Sequence, residues 1–124
     1  MAFVLGGVSG CTAPLDETKT VTLDHGDAYL KTFDLPNQPK EQTLRVEATS
    51  TESEVDVFIV LADKQADFDK ATGEGRVKAA AASSLRTKDA KISATIPPKT
   101  ESRVLVQLVG LKKTEVKIRM TNKK

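Results

Sequence analysis

The sequence predicts an all-β domain, an antiparallel β-sandwich of seven or eight strands with one short helical excursion. Three observations predict it. Apolar residues recur at every second position through most of the chain, the periodicity of a half-buried strand. Turn residues punctuate these runs at intervals of roughly 8 to 12 residues, as in a sandwich. Aromatic residues make up 4% of the 124 residues and Trp is absent, so the core must rest on Val, Ile, Leu and Ala, which suit packed sheets.

The first strand is expected over Thr18 to Leu23, around Val21 and Leu23, and Asp24-His25-Gly26-Asp27 supplies turn residues before Ala28 to Phe33. Those two segments read as a hairpin. Leu35-Pro36-Asn37-Gln38-Pro39 is a rigid loop, after which Leu44, Val46 and Ala48 share one face. In Val55 to Leu61, Val55, Val57, Ile59 and Leu61 face one way and Asp56, Phe58 and Val60 the other. A strand apolar on nearly both faces belongs at the centre of its sheet.

Ala62 to Ala71 reads as the helical excursion, with Asp63 as N-cap, Phe68 as its packing contact and Gly73-Glu74-Gly75 ending it. Helix propensity favours a helix over Ala79 to Ser84, but the segment lacks helical amphipathicity and sits among strands, so it is assigned as extended. Ile92, Ala94 and Ile96 alternate into the turn Pro97-Pro98-Lys99-Thr100. Val104, Val106 and Leu108 form the next strand, and Gly110 breaks it. Val116, Ile118 and Met120 form the last strand, with Lys117 and Arg119 on its opposite, solvated face.

Ten residues precede the single cysteine, Cys11. As a helix they would reach about 15 Å, half a bilayer's hydrocarbon thickness, so they do not form a transmembrane anchor. Ala2 to Val8 is apolar and ends in small residues, as a secretory signal does. Val8-Ser9-Gly10-Cys11 resembles the lipobox of bacterial lipoproteins: an aliphatic residue, two small ones, then the modified cysteine. The resemblance implies cleavage between Gly10 and Cys11 and a thioether-linked lipid on Cys11. Thr12 follows in place of the Asp that retains some lipoproteins at the inner membrane. The usual Lys or Arg ahead of the apolar run is missing, which a start site upstream of Met1 would explain. The expected organisation is a signal remnant over residues 1–10, a lipidated tether over 11–17, and a β-sandwich over 18–124.

From Thr18 to Asn122 the order of strands, the "VDVFIVL" strand, the variable excursion after it and the "IPPKTESRVLVQLVG" segment, read as a hairpin, are together similar to the bacterial pre-peptidase C-terminal domain and its jelly-roll relatives. That resemblance implies a jelly-roll-like, non-catalytic appendage used for binding or for supporting secretion.

Candidate chemistry is sparse. His25 is the single histidine and sits in an expected turn; with Asp27 it is too little for a zinc centre. Asp67-Phe68-Asp69 resembles the start of a calcium loop, but Ala71 and Thr72 stand where a ligand and a glycine are needed. Asp63, Asp67 and Glu74 read as an exposed acidic surface. Ser83, Ser84 and Ser102 lack a nucleophile elbow, and Glu52 and Glu54 merely share a solvent face. Gly73-Glu74-Gly75 precedes no convincing helix and is no phosphate cradle. The chain therefore reads as non-enzymatic, without cofactor or metal. A carbohydrate platform needs exposed aromatics to stack on sugar faces, and with Phe58 expected in the core Tyr29, Phe33 and Phe68 are too few; no recognition motif supports nucleic-acid binding.

Charge is the remaining signal. Before Gly75 there are 6 Lys and Arg against 14 Asp and Glu, a balance of −8; from Gly75 onward there are 13 against 3, a balance of +10. Either acidic and basic strands neutralise each other as neighbours, or the basic residues form a face for an anionic partner. Lys112 and Lys113 are expected in the turn before the last strand. With Lys117, Arg119, Lys123 and Lys124 they would form a basic strip facing anionic headgroups or envelope polymers. The function expected is that of an envelope lipoprotein, membrane-anchored on its periplasmic or surface side, that binds or organises envelope components. Its partners would be the membrane and an envelope protein or anionic polymer. The rivals are a small envelope hydrolase or metal-dependent enzyme, and an accessory subunit of a secreted enzyme.

Overall fold

Alternating polarity becomes alternating burial in the computed structural model, which describes residues 15–26, 29–72 and 74–122. Within them the strands are β1 (Asp16–Leu23), β2 (Leu30–Leu35), β3 (Gln42–Ser50), β4 (Val55–Leu61), β5 (Ala82–Thr87), β6 (Asp89–Ile96), β7 (Ser102–Leu108) and β8 (Thr114–Thr121). They form two four-stranded antiparallel sheets, β1-β8-β3-β6 and β2-β7-β4-β5. This is the jelly-roll arrangement of an eight-stranded sandwich. The strand β1 takes up Asp16 and Glu17, which the sequence had placed in the tether.

Both expected hairpins are absent. β1 pairs with β8 while β2 pairs with β7, and β6 pairs with β3 while β7 pairs with β2 and β4. Each of these connections crosses from one sheet to the other. Alternation says which face of a strand is buried, not which strand lies beside it, and five or six loop residues easily span the ~10 Å between stacked sheets.

The main core fills the space between the sheets. Val55, Val57, Ile59, Val104 and Val106 from one sheet meet Leu44, Val46, Ile96, Val116, Ile118 and Met120 from the other. As expected, β4 lies inside its sheet, between β7 and β5. Its opposite side chains, Phe58 and Val60, join Phe68 and Leu105 in a second cluster on the outer face, packed by Leu30, Ala79 and Ala80.

That second cluster explains the helical excursion. A 3₁₀ turn (Ala62–Lys64) leads into α1 (Gln65–Lys70), and α2 (Glu74–Ala79) follows. The rings of Phe68 and Phe58 meet edge to face at 5.0 Å. Arg76 lies over Phe68 at 5.1 Å and donates to the Ala71 carbonyl and the Gln107 side chain. Asp63 is not an N-cap: the turn begins after Leu61 with no side-chain cap bond. Glu74-Gly75 starts a helix rather than ending one, and Gly73 lies outside the described residues. Ala79 closes α2 while Ala82 to Ser84 extend along β4, so the alanine run is split between helix and strand.

One end of the sandwich is strapped together by hydroxyls. The buried Thr114 Oγ1 meets Ser50 Oγ at 2.6 Å and accepts from the amides of Glu52 and Ser53. Ser53 Oγ donates to the Lys112 carbonyl and accepts from the Lys112 amide, and Glu54's carbonyl receives the amides of Val109 and Gly110. Gly110 lies so close to this turn that an added Cβ would stand 2.6 Å from Ser53 Cβ. Gly110→Ala is therefore expected to cost about 1–3 kcal/mol, as overpacking against backbone-anchored atoms does, read as a lower urea midpoint at unchanged slope. An unchanged midpoint would show that the two loops separate freely.

Candidate functional site

Because β8 lies between β1 and β3, its outward side chains stand in the middle of a polar face. Along β8, Val116, Ile118 and Met120 are buried while Glu115, Lys117 and Arg119 are exposed. On β3, Arg45, Glu47 and Thr49 point outward, and on β6 so do Asp89, Lys91 and Ser93. The register sets these side chains in rows. Arg45 stands between Thr121 and Ser93, Glu47 between Arg119 and Lys91, and Thr49 between Lys117 and Asp89. On the β1 side, Asp16, Thr18 and Thr20 continue the same three rows.

Two shallow depressions lie on this face. One, about 470 Å³, is lined by Arg45, Glu47, Lys91, Ser93, Arg119 and Thr121, with Val46 and Ile92 between them. The other, about 290 Å³, is lined by Glu47, Thr49, Asp89, Lys91, Lys117 and Arg119. They share Glu47, Lys91 and Arg119, and so adjoin as one open trough.

Arg119 is held by a two-pronged contact with Asp16, Nε to Oδ1 at 3.2 Å and Nη2 to Oδ2 at 3.3 Å. Asp16's hydrogen bonds and its charge push the Arg119 pKa above its ordinary value, with a smaller push from Glu47. The pair is solvent-exposed, so its use is orientation rather than stability. Arg45 and Lys91 have no ion pair among the described residues.

The basic residues singled out from sequence are divided by the fold. Lys117 and Arg119 share the outer face, as their spacing required. Lys112 and Lys113 lie in the turn before β8, beside the end of β1 where Leu23 pairs with Thr114. The chain's first described residue is at the opposite end: Leu15's amide donates to Asn122 Oδ1 at 2.7 Å, and Asn122's amide returns to the Leu15 carbonyl. At about 3.3 Å per residue, β8 sets these ends about 26 Å apart. Gly10, Cys11, Asp27, Lys123 and Lys124 lie outside the described residues.

Sequence reasoning missed Arg45 and Lys91. Period two places both outward, but only the strand order puts β3 and β6 beside β8. The neutralisation of acidic and basic strands as neighbours is seen where Glu47 and Asp16 stand beside Arg119, and Arg45 and Lys91 lie on the same face.

The other candidates stay apart. His25 is exposed, its Nε2 meeting the Leu111 carbonyl at 2.7 Å. Ser102 is buried and begins β7 at the far end of that strand from Leu108, whose amide bonds Tyr29 just after the His25 turn. Among the described residues no group of three His, Cys, Asp or Glu could hold a metal ion, and no helix is long and apolar enough to cross a membrane.

The fold is shared with solved proteins. The pre-peptidase C-terminal domain of a collagenase from Bacillus anthracis matches with a TM-score of 0.63 at 9% identity, covering 86% of this chain and 89% of that one. A mitogen from Yersinia pseudotuberculosis matches with a TM-score of 0.60 at 10% identity, covering 90% and 89%. At such identities the likeness is one of fold, and function must be argued from the site. No family model matches the chain. No curated protein matches it.

Proposed function

We propose that this chain is a non-catalytic binding module held at a bacterial envelope membrane by a lipid on Cys11, with the outer face of the β1-β8-β3-β6 sheet as its binding surface. The observation that carries the reading is where the domain begins. Leu15 is pinned to Asn122 at one end of the sandwich, and Cys11 precedes it by four residues, a reach of at most about 14 Å. A lipid there would hold the sandwich by that end, with its strands running away from the membrane and the polar face open to the side. Two or more acyl chains, at about 0.8 kcal/mol per buried CH₂, suffice to retain a domain of this size. This arrangement also removes Lys112 and Lys113 from the membrane-proximal end, which favours an envelope polymer or protein over the anchoring bilayer as the partner of those two residues.

Fatty-acid labelling tests the anchor. Cys11→Ser is expected to abolish incorporation of a palmitate analogue, leave the chain uncleaved and move it out of the membrane fraction. Labelling that persists in the variant refutes the reading.

A further inference from the structure

We propose that the trough on the β1-β8-β3-β6 sheet binds an acidic polysaccharide, a linear polymer with regularly spaced carboxylates, through Arg45, Lys91, Arg119 and Lys117. The proposal rests on the reading of the domain as an envelope-binding module and names that module's ligand class.

The rows of the sheet carry the argument. Arg45 lies in one row, Arg119 and Lys91 flank Glu47 in the next, and Lys117 lies in the third. Successive rows are two residues apart, about 6.6–6.8 Å along the strands. A chain lying in the trough, parallel to β8, therefore meets at least one cation in every row. Arg119 is already oriented by Asp16 through Nε and Nη2, which leaves its other guanidinium donors for a ligand carboxylate.

The rest of the face suits a hydroxyl-rich polymer better than a membrane or a nucleic acid. Thr121, Ser93, Thr49, Thr18 and Thr20 interleave with the cations and offer donors and acceptors at the same level. Among the described residues the exposed large apolar side chains, Tyr29, Val77, Leu85, Val109 and Leu111, all lie off this face, which leaves it poorly suited to entering a bilayer. Among the described residues no aromatic ring stands on it to stack a base. Glu47 and Asp89 inside the trough act against densely charged chains, such as polyphosphate, more than against one carboxylate per sugar.

The test measures binding of the full chain to polygalacturonate at low salt, with neutral dextran, polyphosphate and phosphatidylglycerol vesicles as comparisons. Polygalacturonate is expected to bind, and dextran not to. Arg45→Gln with Lys91→Gln should weaken binding about tenfold, the effect of two solvent-exposed charge contacts, and raised salt should weaken it further. Glu47→Gln should strengthen it, and Lys112→Gln with Lys113→Gln should leave it unchanged. Failure to bind polygalacturonate overturns the proposal, as does binding insensitive to the Arg45 and Lys91 changes. Tighter binding to the vesicles or to polyphosphate than to polygalacturonate also overturns it. Labelling at Cys11 is scored separately: labelling without polygalacturonate binding removes the trough and leaves the anchored module, and binding without labelling does the reverse.

Discussion

Ile59→Ala is expected to lower the stability of the domain by about 2–5 kcal/mol, the range for emptying a buried aliphatic site. Ile59 is fully buried in β4, an inner strand paired on both sides, with Val104 opposite it on β7 and Ala82 on β5. Its side chain points between the sheets, into the main core. Two rigid sheets cannot close around the missing atoms without shifting their shared register, so the void is expected to persist and the cost to fall toward the upper part of the range. Urea unfolding followed by circular dichroism measures it, as a lower midpoint at unchanged slope. A near-neutral result would mean that β4 is not the centre of the core.

Phe68→Ala is expected to lower the stability of the helical cap by about 3–5 kcal/mol, because Phe68 is buried and holds the second cluster together. The variant loses the edge-to-face contact with Phe58, the stacking of Arg76, and the apolar cover over Leu105. Hydrogen exchange separates the two ways in which this loss can be expressed. Amides of α1 and α2 should lose protection first, since the cluster that holds them is separate from the one between the sheets, while β3 and β8 should stay protected up to the global transition. Equal loss of protection in helices and strands would show that the cap and the sandwich are one cooperative unit. Neither substitution lies on the outer face of the other sheet, so the proposed binding at Arg45 and Lys91 is expected to survive in whatever fraction stays folded.

Much of the sandwich was legible in the chain. The alternation of Leu44, Val46 and Ala48, and of Val116, Ile118 and Met120, gave the correct inward set in each case. The two-sided apolarity of Val55 to Leu61 correctly placed that strand inside its sheet and marked Phe58 for burial. Phe68 stood out as the contact of the excursion because it is the sole large apolar residue between Leu61 and Val77. Helix ends read less well. The turn after Leu61 has no side-chain cap, and α2 begins at Glu74 in a Gly-rich stretch, because cover for Phe58 and Leu105 outweighs local propensity.

The sequence by itself determined the periodicity, the inward and outward sets, and the pairing of Lys117 with Arg119 on one face, because these follow from the two-residue repeat of an extended chain. Tertiary structure alone decided the neighbours. Loops after Leu23 and Ile96 that read as hairpin turns instead carry the chain across the sandwich, since two half-apolar sheets bury more surface against each other than any hairpin can bury alone. That crossing sets Arg45 and Lys91 beside Arg119 and sends Lys112 and Lys113 to the far end of the domain. A charge's position along the chain is local information, but its company on a sheet is a property of strand order, which no short stretch of sequence encodes.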